Sequence, residues 1–373
     1  MDVNATLAAI RAAGNFRAIP TEDGGGGVDL SSNDYLGFGA DALLRERFFA
    51  AQRPQDLLMS ASASRLLAHY QSDFTAFERT LSDSYGGRAA LLFNSGYHAN
   101  TGLVAALAAD GHTLIVADRL VHASIIDGIK LSGARFERFR HNDLTHLQRL
   151  IEHNLGAFST ILVVVESVYS MDGDVADLAA IAALKRHYGE RVLLYVDEAH
   201  AVGALGPAGL GEAARCGVLD HVDVLVGTLG KALASAGAFA ILTPALRDFM
   251  VNRARSLIFS TALPPLCARW SRYIWQHSLE ADTVREQLRR RAEQLAAIIP
   301  GGAPSHIRPL IVGDAARAVE LSQLLLAEGF KVLPIRTPTV PPGTERLRFS
   351  LSAAVPEAEL RRLGHILPNL IKQ

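Results

Sequence analysis

Two side chains that could do chemistry together follow two apolar runs. Asp197 closes "VLLYVD" (192–197), and Lys231 comes three residues after "DVLVGT" (223–228). If both runs are parallel strands, both residues emerge at carboxyl ends, where open α/β sheets collect their ligands. A carboxylate and an amine facing one pocket suit opposite ends of a pyridine aldehyde. The lysine condenses with the aldehyde while the acid keeps the ring nitrogen protonated, and pyridoxal phosphate is the cofactor that asks for both. A carboxylate about 3 Å from that nitrogen, at an effective dielectric near 20, contributes roughly 5 kcal/mol of attraction before desolvation is subtracted. Burial also lowers the pKa of a lysine, freeing its amine to attack and later to act as a base. A solvated acid and a solvated lysine after their strands are the plain alternative, so the pair needs support from its surroundings.

Three stretches supply it. "FNSGYHAN" (93–100) enters the helical pattern "ANTGLVAALAA", which makes a phosphate site at a helix N-terminus. "ADRLVHAS" places His122 just past another strand, where an imidazole could lie flat on a pyridine ring. "GTLGK" puts the Thr228 hydroxyl three residues before the lysine, within reach of the same phosphate. The competing reading of Asp-Glu-Ala-His at 197–200 as a nucleic-acid motor's box requires G-x-x-x-x-G-K-[ST] to wrap nucleotide phosphates. At the Gly-Lys pair of "GTLGKA", Leu225 occupies the first glycine position and Ala232 replaces the magnesium-binding hydroxyl.

Composition points the same way. The 373 residues carry 37 Lys+Arg against 38 Asp+Glu, a net charge of −1, with no basic block to release counterions from a nucleic acid. With 49% apolar and 20% charged residues the sequence has the make-up of a globular protein large enough for two lobes. Cys216 and Cys267 lie far apart without the His or Cys spacing of a zinc site, so no metal is expected and both are read as buried small apolar residues. The longest apolar runs, such as "ILVVV" at 161–165, are strand-length, and the N-terminus lacks the apolar core of a secretion signal; a cytoplasmic protein without membrane contact is expected.

Short β-branched runs alternate with helical patterns from about 88 to 245, which predicts an α/β fold with a mainly parallel sheet. "TLIVAD", "STILVVVES", "RVLLYVDE", "DVLVGT" and "GAFAIL" are the expected strands, apolar throughout because helices cover both faces. "VADLAAIAALKRHYG" reads as a helix ending at Tyr-Gly. Gly24 to Gly27 reads as a loop after a short N-terminal helix. Beyond 265, long helical patterns lead to a second α/β section: "HIRPLIVGD", a helix at "AARAVELSQLLLAEG", then "KVLPIR" and "RLRFSLS". The expected division is an arm over 1–40, a large cofactor domain over 41–268 and a small C-terminal domain over 269–373.

"SSNDYLGF", "ADRLVHASIIDG", "HNDLTHL", "ESVYSMDGD", "DEAHAVGALG", "GTLGKA", "IFSTALPP", "IRPLIVGD" and "PTVPPGTERLRFSLSAA" occur in order from 31 to 354. Together they resemble the α-oxoamine synthases, most closely the branch serving biotin biosynthesis. The resemblance implies a fold-type I pyridoxal-phosphate transferase, with a mainly parallel seven-stranded sheet flanked by helices and a smaller C-terminal α/β domain. It implies that Lys231 binds the cofactor aldehyde and handles the substrate Cα proton, that Asp197 pairs with the ring nitrogen, that His122 stacks on the ring, and that His200 bonds the phenolic oxygen. Gly96, Tyr97 and Thr228 would hold the phosphate, helped by Ser260 or Thr261 across a homodimer interface, and Ser170 would face the cofactor. Arg348 would clamp the amino-acid carboxylate and Asn33 would line the substrate pocket. Arg17 would meet an acyl-chain carboxylate, if it is not simply solvated, and Ser170 and Asn33 could instead cap turns. The implied reaction is a decarboxylative condensation of L-alanine with a pimeloyl thioester, carried on coenzyme A or on an acyl carrier protein.

"SASASRLLAHY" (60–70) has Ala and Ser where the family usually has glycines, and a loop with fewer backbone conformations could reshape the acyl pocket. "DEAHA" and Val355 also depart from the common pattern. A sibling synthase using glycine or serine, an aminotransferase on the same fold, and a cofactor-free scaffold are the alternatives.

Overall fold

The computed structural model describes residues 1–17, 19 and 26–372. Gly24 and Gly25, half of the glycine run, lie outside the described residues. Contacts between Cα atoms divide the chain into two compact units. One comprises Leu36–Ser170 and Val175–Arg285; the other comprises Met1–Tyr35, Met171–Asp174 and Glu286–Gln373.

The first unit is built on a seven-stranded sheet in the order Ala89–Phe93, Ala238–Leu242, Val224–Thr228, Val192–Asp197, Thr160–Glu166, Thr113–Asp118, Phe136–Phe139. Ala238–Leu242 runs antiparallel to both its neighbours, and the remaining pairs are parallel. The five strands expected from the sequence are all present. The other two carry weaker signals: "AALLF" has no β-branched residue, and "FERF" is a half-exposed edge strand of alternating character. The central strands are buried at all but two positions, Thr160 and Leu193, because helices cover both faces, and Ile115, Leu162, Val164, Tyr195 and Val226 lie in one continuous core.

Helix starts set the positions of the polar residues. Ser95 caps Gly96–Ala108 by accepting from the His98 N–H, His122 caps Ala123–Ser132, and Asp177 caps Leu178–Tyr188. Gly189 ends the last of these with φ +62°, at the expected Tyr-Gly stop. The cysteines differ from expectation. Cys216 and Cys267 are only partly buried, and the Cys216 thiol lies 3.3 Å from Glu212 Oε1, because each sits on the rim of a helix end and not in its apolar face.

The second unit holds an antiparallel sheet in the order Leu333–Ile335, Arg346–Ser350, Ile307–Ile311, together with the helices Ala315–Ala327 and Glu357–Lys372. Val28–Asp29 pairs in parallel with Phe330–Lys331, so the N-terminal segment is tied to this unit. The helix Val3–Ala12 buries none of its side chains. Among the described residues no helix is long and apolar enough to cross a membrane.

Within this unit Gly173 adopts φ +69°, and a Cβ there would lie 2.1 Å from the Ile307 carbonyl oxygen. Backbone cannot yield as a side chain can, so both the dihedral and the contact forbid a methyl group. Gly173→Ala is expected to destabilise the protein by about 2 kcal/mol or more, read as a lowered midpoint in urea unfolding.

Candidate active site

The polar centre of the larger unit forms where parallel strands end. Asp197 is the last residue of its strand, paired in register with Glu166, and is 4% exposed. Its Oδ2 accepts from Asn100 Nδ2 at 2.7 Å and its Oδ1 from the Ala199 N–H at 2.9 Å. His200 lies one turn further on, buried, with its Nε2 2.9 Å from Lys231 Nζ. Lys231 sits in a tight turn in which the Leu229 and Ser235 amides are bonded back across the loop and Ala234 takes φ +44°. The charges of Asp197 and Lys231 bear on the same two groups, His122 and Glu166. The carboxylate and the amine therefore lie within electrostatic reach of the same two side chains.

Burial pushes the His122 imidazole below its ordinary 6.5; Lys231 reinforces the shift, while Asp197 and Asp127 oppose it. Glu166, fully enclosed beside Asp197, is held well above 4.5 by burial first and by that neighbouring charge second. The glutamate of Asp-Glu-Ala-His points elsewhere. Glu198 is wholly buried and accepts from Glu212 N at 2.9 Å, Ala213 N at 2.7 Å and Ser167 Oγ at 2.8 Å, which anchors the glycine-rich loop 203–211. The four letters thus serve a site acid, a loop anchor and a lysine partner.

A helix start, a hydroxyl and a loop meet on the other side. A Cβ added at Gly96 would lie 3.8 Å from Thr228 Oγ1, so the threonine hydroxyl stands against the first turn of Gly96–Ala108. First-turn N–H groups have no intrahelical acceptor and favour an anion. Asn94 Nδ2 donates to Ser260 Oγ at 3.0 Å and to the Thr261 carbonyl at 2.5 Å, bringing that loop to the same helix end. Tyr97 turns outward and donates its hydroxyl to Asp127 Oδ2 at 2.6 Å, which leaves its backbone N–H as its contribution. Ser170 is half-buried and is the last residue of the larger unit before the 171–174 insertion.

These donors and acceptors fit pyridoxal phosphate: an amine for the aldehyde, a buried carboxylate for the ring nitrogen, an imidazole between them and a helix N-terminus for the phosphate. Among the described residues no cluster of three His, Cys, Asp or Glu side chains is disposed to hold a metal ion.

The profile of aminotransferase class I and II matches residues 26–367. The chain belongs to this family. The 8-amino-7-oxononanoate synthase of Haemophilus ducreyi is 45% identical over 347 residues, spanning 90% of this chain and 89% of that one. The synthase of the same name from Chlorobaculum parvum is 42% identical over 354 residues, 92% of this chain and 89% of its own. Among solved structures, Sphingomonas wittichii serine palmitoyltransferase superposes with a TM-score of 0.88 at 29% identity, covering 99% and 96% of the two chains. Serine palmitoyltransferase of S. paucimobilis, with pyridoxal phosphate and myriocin bound, gives 0.87 at 28% identity, with coverage of 99% and 96%. An 8-amino-7-oxononanoate synthase from Francisella tularensis gives 0.78 at 26% identity over 93% of this chain and 98% of that one. The fold is that of the fold-type I enzymes and the cofactor is pyridoxal phosphate.

The smaller unit brings together two residues expected to bind substrate. Arg348, 5% exposed on its strand, donates through Nη2 to Asn33 Oδ1 at 3.2 Å, and the same oxygen accepts from Tyr35 OH at 3.1 Å. Arg17 is exposed and donates to Thr339 Oγ1 at 3.0 Å. It lines an open cleft of about 630 Å³ with Leu7, Ile10, Phe16 and Pro338.

Sequence reasoning passed over Asn100, Ser124, Tyr195 and Glu166, all buried around Asp197. A signal existed for two of them. Tyr195 lies two residues before Asp197 on an otherwise aliphatic strand, and Asn100 is a polar residue on the buried face of a helix.

Burial lifts the Glu198 carboxyl from 4.5 to about 7. A folded-state pKa above the unfolded one means that the stability tied to the protonated form is complete below about 4.5 and falls as the pH rises toward 7. A gap of this size corresponds to a loss on the order of 3 kcal/mol. Glu198→Gln cannot ionise, so its deficit relative to the parent should shrink between pH 5 and pH 8 in denaturant unfolding. A deficit that stays constant across that range would contradict the assignment.

Proposed function

We propose that this chain is an 8-amino-7-oxononanoate synthase, condensing L-alanine with a pimeloyl thioester and releasing thiol and carbon dioxide. The observation that carries the proposal is the convergence of Asp197, His200 and Lys231 on one site in a chain 42–45% identical to synthases of that name over about nine-tenths of its length.

Bound pyridoxal phosphate supplies the electron sink that accepts the pair left when a bond at the amino-acid Cα breaks. Lys231 would anchor the cofactor aldehyde through Nζ and take the Cα proton of alanine. His200, 2.9 Å from that nitrogen, positions the amine and would bond the cofactor's phenolic oxygen. Asp197, fixed by two donors, would pair with the ring nitrogen. The first turn of Gly96–Ala108, Thr228 and the chain's own Ser260–Thr261 segment, which Asn94 draws to that helix end, would hold the phosphate, in place of a segment supplied across a homodimer. Ser170 faces the cofactor. Within the smaller unit, Arg348 with Asn33 beside it would offer a substrate carboxylate charge-assisted hydrogen bonds, and Arg17 would meet an acyl-chain carboxylate at the apolar cleft of Leu7, Ile10 and Phe16. With that proton removed, the alanine Cα would add to the thioester carbonyl with departure of the thiolate, and loss of the alanine carboxyl as carbon dioxide would give the α-amino ketone after protonation.

A serine-using sibling is the second reading, favoured by the superposition on serine palmitoyltransferases at TM-scores of 0.87 and 0.88. Sequence identity to these enzymes is 28–29%, against 42–45% for the 8-amino-7-oxononanoate synthases. Identity is the closer guide to which side chains line a pocket, whereas backbone superposition reports the shared scaffold.

Purified protein loaded with pyridoxal phosphate should convert L-alanine and pimeloyl thioester to 8-amino-7-oxononanoate, with free thiol and carbon dioxide in equal amounts. Lys231→Ala should abolish turnover. Arg348→Lys should raise the KM for alanine by about tenfold to a hundredfold through loss of the bidentate contact, with a smaller change in kcat. Turnover of serine with a long-chain thioester, and none with alanine, would transfer the assignment to the sibling. Release of pyruvate without carbon dioxide would make the protein an aminotransferase.

A further inference from the structure

A single carboxamide joins Asp197 to His122. Asn100 is 2% exposed, and its Nδ2 donates both to Asp197 Oδ2 at 2.7 Å and to Ser124 Oγ at 2.9 Å. Its Oδ1 accepts from Tyr195 OH at 2.7 Å. Ser124, fully buried, stands with Oγ 2.7 Å from His122 Nδ1, and its own N–H donates to the same nitrogen at 3.2 Å.

The Ser124 N–H aimed at His122 Nδ1 makes that nitrogen an acceptor and sets the direction of the hydrogens along this chain. An ionised Asp197 can only accept, so the amide must turn its nitrogen toward it, which places Oδ1 against Tyr195 and makes that phenol the donor. The second amide hydrogen goes to Ser124 Oγ. The serine hydrogen is then directed to His122 Nδ1, which the Ser124 N–H already addresses. Nδ1 can only accept, so the imidazole carries its hydrogen on Nε2 and is neutral.

We propose that Asn100 and Ser124 are positioning residues that carry a hydrogen-bond chain from Asp197 to His122 Nδ1 and so hold that imidazole in its neutral tautomer with the hydrogen on Nε2. The proposal rests on the cofactor reading above, with Asp197 at the ring nitrogen and His122 at the ring face. A ring kept protonated by Asp197 is cationic, and a second cation stacked on it would be repelled. The relay keeps that charge off by aiming two donors of Ser124 at Nδ1. The groups that face His122 agree: burial and the Lys231 charge disfavour imidazolium, against the opposing pull of Asp197 and Asp127, and the His122 backbone amide donates to Glu166.

The test reads the imidazole directly by NMR of protein labelled with heavy nitrogen at histidine, with His122→Gln used to assign the signal. At neutral pH, before cofactor is added, the parent should show His122 neutral with its hydrogen on Nε2. Ser124→Ala removes one of the two donors to Nδ1 and should lower the ratio of Nε2–H to Nδ1–H roughly fivefold. Asn100→Asp takes the serine hydrogen for itself and should move the imidazole hydrogen to Nδ1. With pyridoxal phosphate bound, Asn100→Asp should also shift the pH midpoint of the visible absorption, which simple loss of packing would not do. If Asn100→Asp does not fold, Ser124→Ala carries the test alone. An imidazolium or an Nδ1–H tautomer in the parent, or an unchanged ratio in folded variants, would overturn the proposal. Protein that takes up no pyridoxal phosphate yet shows the tautomer shifts would overturn the cofactor reading and leave the relay standing.

Discussion

A carboxylate buried at the end of a parallel strand must be met by donors, and the centre of the larger unit is organised around that requirement. Asp197 is 4% exposed and flanked in register by a second carboxyl, Glu166. Two ionised carboxylates side by side in a low-dielectric interior are costly, and the protein separates their states. Asp197 receives an amide and a backbone N–H, whereas Glu166 is pushed toward its neutral form.

The same constraint explains why the surroundings are polar where the fold alone would make them apolar. Asn100, Ser124 and Tyr195 occupy buried positions on a helix, a helix start and a central strand, each of which an aliphatic residue would fill. Half-satisfied polar networks cost more than an apolar core. This one is closed: each hydrogen from Tyr195 to His122 has an acceptor.

What could be read from the sequence follows from which signals are local. Strands covered on both faces announce themselves as apolar runs, and Thr113–Asp118, Thr160–Glu166, Val192–Asp197, Val224–Thr228 and Ala238–Leu242 were all legible. Ala89–Phe93 and Phe136–Phe139 were not, because the first has helix-forming composition and the second an exposed edge. Asp197, His122 and Lys231 stood out by their places after strands. The relay did not, since Asn100 meets Asp197 across 97 residues and Tyr195 across 95, a pairing that no local pattern encodes. Tyr97 shows what a local signal leaves open: its position at the helix start offers a backbone N–H, but Asp127, thirty residues away, takes its hydroxyl.

The Asp-Glu-Ala-His segment shows how one short string can be shared between tasks. Asp197 ends a strand, so its side chain enters the site. Glu198 follows it, and the alternation of the extended chain sends that side chain to the opposite side. There it accepts from the amides of Glu212 and Ala213 and from the Ser167 hydroxyl, closing the glycine-rich loop that begins at Gly203. His200 comes after the chain has begun to turn, with the Ala201 and Val202 amides bonded to the Glu198 carbonyl, and that turn returns its imidazole to Lys231. A buried glutamate in the second position therefore acts on the site only through the backbone that carries His200. A replacement at 198 that lost these three donors would release the loop and, with it, the distance between the imidazole and the amine.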